Sequence, residues 1–214
     1  RADIGNAEIP AAPIIGLIFF LVKRFKNLAK NTPPTVSNTK ATRPRAMMMS
    51  VSSFRNSLAR IWKEMKNYKN MPKEEVRLNL LYLIHLVADM HCPGHVFYYG
   101  LKQYEMKAYD EPIRFHGFID KCYGRYNKGK TSDEFYHKYC RLTKKEIEAL
   151  CVGDMGDWVK QNTPVFKECY TLLSPTIDYR DLPEQNKLRL KEITDDLRVK
   201  AGYRLAYVMN QIFK

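Results

Sequence analysis

Residues 85–95 read HLVADMHCPGH and hold three histidines, an aspartate, a cysteine and a Pro-Gly pair, in a chain with only five histidines. His85 and Asp89 are four positions apart, so on a helix they stand one turn apart on the same face. A neutral imidazole and a carboxylate so placed can hold one divalent cation, or two that share the carboxylate. The same spacing also suits a hydrogen-bonded core pair, since either group needs a partner when buried. His116 and Asp120 repeat the His-x3-Asp spacing in FHGFID. Pro93 and Gly94 end the first helix and turn the chain, which lets His95 be aimed where an uninterrupted helix would not point it. Four histidines within 32 residues, accompanied by two suitably spaced acids, favour a metal site of nitrogen and oxygen donors without thiolate. Zinc suits that set, and manganese and iron are also compatible with it by ligand type. His91 lies six residues beyond His85, on roughly the opposite helical face, and reads as a structural histidine donating to backbone. His137, in DEFYHKYC, has no acid at ligand spacing and reads as a surface or packing residue.

Helices must carry these side chains. SVSSFRNSLARIWKEMKN sets Val51, Phe54, Leu58, Ile61, Trp62 and Met65 at helical spacing behind serine caps. MPKEEVRLNLLYLIHLVADMH starts at Pro72 with acids in its first turn and is apolar almost all round in its second half, as a central buried helix should be. An aromatic, irregular stretch is expected from Gly94 to Phe115, then a short segment around FHGFIDKCYGRY. Two further helical stretches follow, with Gly153 and Gly156 as breaks, and PEQNKLRLKEITDDLRVKAGYRLAYVMNQIF reads as a long amphipathic helix opened by Pro183. No strand pattern of comparable strength occurs. The expected fold is mainly α: a single helical domain over 47–214 with its metal site between helices.

At 214 residues, 45% hydrophobic and 28% charged, the chain has a globular profile and can bury a core of its own. Thirty-six Lys and Arg against 23 Asp and Glu leave a formal charge of +13, which draws polyanions or anionic surfaces. Five cysteines without CxxC spacing exclude common zinc-finger and thioredoxin arrangements and allow up to two disulfides in an oxidising compartment. Residues 1–46 read as an atypical N-terminal arm. Within it, IPAAPIIGLIFFLV (9–22) is too short to cross a bilayer, which takes about 20 residues. It reads as a buried or interfacial helix, with membrane-surface contact as the alternative. NTPPTVSNTKATRPRA (31–46) reads as a Pro-rich linker. The start at Arg1 is read as that of a processed or truncated product.

LLYLIHLVADMHCPGHV resembles the metal-binding helix of the S1/P1 nuclease family, zinc-dependent nucleases related to bacterial zinc phospholipases C. FHGFID resembles that family's second His-x3-Asp element, GDWVKQNTPVFKECY its Trp-led helix and AGYRLAYVMNQIF its closing helix. The pieces follow one another in the right order over about residues 50–214. The resemblance implies a mainly helical fold of the phospholipase C and nuclease type around three zinc ions, and cleavage of single-stranded RNA or DNA to 5'-phosphorylated products. Carried over by position, His85 and Asp89 belong to a paired-zinc half, with Asp89 bridging the two ions as the catalytic carboxylate. His95, His116 and Asp120 would hold the third zinc, and His91 matches a family histidine that is not a ligand.

The family completes its paired site with an N-terminal Trp, a nearby His and a later Asp and His. This chain begins Arg1-Ala2-Asp3 and has no histidine before His85, leaving Asp3 or Glu8 to assist. The family's glycine-rich loop is replaced by FYYGLKQYEMKAYDEP, where Tyr98 and Tyr99 could stack a base or simply pack. About one tightly held zinc is therefore expected. The leading expectation is a secreted or periplasmic, monomeric zinc phosphodiesterase acting on single-stranded nucleic acid, impaired by the missing ligands. The alternatives are a non-catalytic truncated homologue binding one structural metal, and a zinc phospholipase C-like lipid hydrolase.

Overall fold

A computed structural model describes residues 51–96, 105–108, 111–126, 134, 137, 141–173 and 178–213, without the side chains of 51–55, 105 and 121–126. Residues 1–46, the side chains of Val51 and Phe54, and Tyr98 and Tyr99 therefore lie outside the described residues.

Helix α1 (Val51–Met65) buries Leu58, Ile61 and Met65, one stripe of a 3.6-residue period. A 3-10 turn at Tyr68–Asn70 leads to Pro72, the N-cap of α2 (Lys73–Asp89). Proline suits a helix start because the N–H it lacks would have no helical partner there, and Glu74 and Glu75 face the positive end of the helix dipole. The buried residues of α2 all lie in its second half: Leu83, Ile84, Leu86 and Val87. The helix stops at Asp89, shortly before Pro93.

The stretch expected to be irregular contains a small antiparallel hairpin of β1 (Glu105–Ala108) and β2 (Glu111–Arg114), with Met106 opposite Ile113. Met106 and Ala108 are buried while Lys107 between them is exposed. Four-residue strands are too short for that alternation to stand out, and Pro112 argues against a strand by sequence. It is tolerated because β1 bridges Asp178 on its other side, which leaves β2 at the edge.

β2 runs straight into α3 (Phe115–Tyr126), pinned by buried Phe115, Phe118 and Ile119. The Phe115 ring stacks on Tyr170 at 4.1 Å, and Phe118 meets Tyr179 at 4.8 Å. Thr143 and Glu146 form a capping box for α4 (Lys144–Leu150), and Asp154 and Asp157 form one for α5 (Met155–Leu172). Gly153 breaks the chain between them at φ +90°, whereas Gly156 sits inside the first turn of α5 and breaks nothing. The 29 residues of α6 (Glu184–Ile212) extend about 43 Å at 1.5 Å per residue. Its buried stripe of Leu190, Ile193, Leu197, Ala201, Leu205, Val208 and Ile212 packs against α1 to α5.

The architecture is mainly α, and among the described residues no helix is long and apolar enough to cross a membrane. Cys92, Cys151 and Cys169 are buried and form no disulfide, so two disulfides do not form; the side chains of Cys122 and Cys140 lie outside the described residues.

Candidate metal centre

Two helices and one turn bring the five predicted ligands together. His85 and Asp89 occupy the last part of α2, with His85 Nε2 3.3 Å from Asp89 Oδ2. Past Asp89 the chain closes a tight turn in which Cys92 N–H donates to Asp89 O at 3.0 Å and His95 N–H to Cys92 O at 3.0 Å. This turn swings His95 back between two carboxylates: its Nδ1 is 3.3 Å from Asp89 Oδ2 and its Nε2 3.1 Å from Asp120 Oδ1. From α3, His116 presents Nε2 3.3 Å from Asp120 Oδ2 and 3.0 Å from His95 Nε2. His85, Asp89, His95, Asp120 and His116 thus form one continuous line, with Asp89 Oδ2 shared by two imidazoles. Gly94 makes the close approach feasible, because a Cβ there would lie 3.0 Å from the His116 Cα.

The donor set and its spacing fit a zinc ion. Nitrogen and oxygen ligands about 2.0–2.2 Å from a tetrahedral zinc are about 3.3–3.6 Å from one another. The separations among His95, His116 and Asp120, from 3.0 to 3.3 Å, come within a few tenths of an ångström of that. Two Nε2 atoms 3.0 Å apart cannot both carry a proton pointed at the other, so at least one lone pair faces the space between them. The side chains keep partial solvent access, from 16% at Asp89 to 41% at His85, as a site that admits substrate requires.

Electrostatics match the crowding of acids and imidazoles. Burial alone would lower the basicity of His95, but its bonds to Asp120 and Asp89 outweigh this and raise it to about 10. Burial alone would raise Asp120, and its bonds to His116 and His95 instead hold it well below the ordinary carboxylate range. Burial, reinforced by the Asp120 charge, pushes the Cys92 thiol well up.

His91 is fully inside and turned away from the cluster. Its Nδ1–H donates to Val87 O at 2.8 Å, and its Nε2 accepts from Arg204 Nη1 at 2.9 Å. Burial and the adjacent guanidinium depress its pKa to about 3, so it is a neutral structural imidazole, as the spacing predicts. His137 is exposed, and its carbonyl accepts from Arg141 Nε at 3.3 Å.

Two participants escape the sequence reading. Cys92 Sγ lies 3.8 Å from Asp120 Oδ1, although the donor set was expected to lack sulfur. Arg204 is 1% exposed, lies over the Trp158 ring at 5.1 Å and also donates to Leu150 O at 3.1 Å and to Gln161 Oε1. Proximity of Cys92 to Asp120 was detectable only as a cysteine inside the histidine motif. Arg204 was signalled only as part of AGYRLAY.

Among curated proteins none matches this chain. The sequence model of the S1/P1 Nuclease family, however, matches residues 24–214. That match starts inside the stretch read as an N-terminal arm and runs to the end of α6 and beyond. The chain belongs to the S1/P1 nuclease family and, with it, to the metal-dependent nucleases that hydrolyse phosphate esters.

Proposed function

We propose that the protein is a zinc-dependent phosphodiesterase that cleaves single-stranded nucleic acid to 5'-phosphorylated products at the His/Asp cluster. One observation carries this reading: His95 and His116 bring their Nε2 atoms to 3.0 Å from one another against a common carboxylate, in a chain of this family. His95, His116 and Asp120 would hold one zinc, and His85 and Asp89 would contribute to a second position. Bound there, zinc supplies an acidified water near neutral pH and balances the charge that builds on the phosphate oxygens.

The chain's own side chains do the rest. Asp89 Oδ2, between His85 and His95, is the carboxylate able to serve both halves of the site. His91 and Arg204 keep the turn after Asp89 in place from behind, without entering the cluster. The formal charge of +13 attracts a polyanion, so substrate affinity should fall as salt rises. In the reaction, water oxygen bonds to phosphorus, the bond to the 3' oxygen breaks, and that oxygen leaves with a proton.

The test is incubation of the purified full chain plus zinc with single-stranded DNA, single-stranded RNA, duplex DNA and a phosphatidylcholine analogue, each with and without chelator. Chelator-sensitive cleavage of the single strands, with duplex and lipid spared, is the expected outcome. Cleavage of the lipid alone would transfer the site to phospholipid head groups. An intact set of substrates would leave a homologue that binds metal without turnover. Elemental analysis should find about one tightly held zinc per chain, since among the described residues His95, His116 and Asp120 make a complete three-ligand set, whereas the second position keeps only His85 and Asp89. Three ions would mean that further residues complete the half containing His85 and Asp89.

A further inference from the structure

The turn that aims His95 carries one more side chain of ligand chemistry. Cys92 is 5% exposed, forms no disulfide, and directs Sγ to within 3.8 Å of Asp120 Oδ1. Cys92, His95 and Asp120 each offer a donor atom, and those atoms all lie within 4.8 Å of one another. The geometry points to Cys92 as a thiolate ligand of the centre, so that sulfur, nitrogen and oxygen from the one turn and α3 hold a single soft-tolerant cation. This inference rests on the metal-centre reading of the cluster given above.

Three physical points support it. A tetrahedral zinc with sulfur at about 2.3 Å and oxygen at about 2.0 Å sets those two ligands about 3.5 Å apart; the Cys92 to Asp120 separation of 3.8 Å is close to that. The backbone of Cys92 is already tied to two candidate ligands, donating to Asp89 O and accepting from His95 N–H, both at 3.0 Å. Bringing sulfur onto a shared ion therefore needs a side-chain rotation rather than a backbone rearrangement. Finally, a buried cysteine that merely filled space would have no need to face a carboxylate, whereas here its sulfur does.

On binding a divalent ion the S–H bond breaks, the sulfur lone pair goes to the cation, and the proton leaves to solvent. A centre with thiolate selects zinc, cobalt or cadmium over manganese and magnesium. Without Cys92 the remaining donors would discriminate less.

The test uses the purified full chain titrated with cobalt(II), with Cys92→Ser and Cys92→Ala as variants and circular dichroism to verify folding. Visible ligand-field absorption reports that cobalt is bound, and a near-ultraviolet thiolate-to-cobalt charge-transfer band reports sulfur ligation. The expected result is both signals in the parent chain, loss of the charge-transfer band in the variants, and cobalt affinity lowered about 100-fold. Ligand-field absorption without the thiolate band in the parent chain overturns the Cys92 assignment and leaves the metal centre standing. A band that persists in folded Cys92→Ser overturns it equally, since another cysteine would be its source. Absence of both signals removes the metal-centre reading itself, and this inference with it. Absence of the band in the parent chain overturns the assignment even if neither variant folds.

Discussion

His95 faces two acids at once, Asp89 through Nδ1 and Asp120 through Nε2, and that double engagement makes it the most informative single side chain in the cluster. If its role is to hold a cation, its contribution to stability exists only while the cation is present. A ligand at 100 times its dissociation constant stabilises the folded state by about 2.7 kcal/mol. In a domain of this size that is about 5–10 °C in Tm. Zinc should therefore raise the melting temperature of the parent chain by roughly that amount, by reference to the same relation. His95→Ala and His116→Ala should lose most of this rise while melting close to the parent chain in chelator. Equal losses with and without chelator would reduce both histidines to packing. Scanning calorimetry or a dye-based melt in matched buffers distinguishes the two. Asp89→Asn should behave differently: it keeps the shape of the shared carboxylate but removes the charge, so cleavage should fall far more than stability.

At the scale of elements, the site depends on how tightly a turn lies against a helix, and two glycines separate that effect from ordinary backbone strain. Gly94 has no forced backbone angle, yet a Cβ on it would stand 3.0 Å from the His116 Cα and 3.3 Å from its ring. Gly94→Ala should push the turn off α3, spread His95 from His116 and weaken zinc binding, so its penalty should be larger in zinc than in chelator. Gly153 adopts φ +90°, and a Cβ there would come within 2.8 Å of Asp157 Oδ2, a member of the capping box of α5. Gly153→Ala should cost about 1–2 kcal/mol in backbone strain, equally with and without zinc. Paired melts of the two variants check both statements; a metal-dependent penalty at Gly153, or a metal-independent one at Gly94, would contradict this division. The same elements explain what sequence could reveal. His85 with Asp89 and His116 with Asp120 are legible because four residues make one helical turn, and Pro93-Gly94 announces the turn that returns His95. The hairpin around Met106 and Ile113 is not legible, since four-residue strands leave no measurable periodicity. Cys92 beside Asp120 is not legible either, because the two are 28 residues apart and meet only through tertiary packing.

Across the whole molecule, one buried cation ties the site to the frame. Arg204 of α6 reaches His91 in the turn after α2, Leu150 O at the end of α4 and Gln161 of α5, and it lies against Trp158. A guanidinium suits this position because its planar fork addresses several acceptors at once, whereas a lysine ammonium is a point charge on a flexible stem. Burial lowers its pKa to about 10, which still leaves it charged at neutral pH. The partners are 113 residues apart in the case of His91, so AGYRLAY marks a family resemblance in the sequence without disclosing what its arginine holds. Arg204→Met keeps the apolar stem but strands the buried His91 imidazole nitrogen and takes the donor away from the part-buried Leu150 carbonyl and the exposed Gln161 amide. One unmet buried acceptor and the loss of bonds to a charged donor should cost about 3 kcal/mol, or about 6–12 °C in Tm. That loss should be present in full in chelator, where His95→Ala melts like the parent chain. Arg204→Lys should recover little of it, because one ammonium cannot reach three separate acceptors. If Arg204→Met melted with the parent chain in chelator, the arginine would be dispensable to the frame, and the turn that carries Cys92 and His95 would have to be held by other contacts.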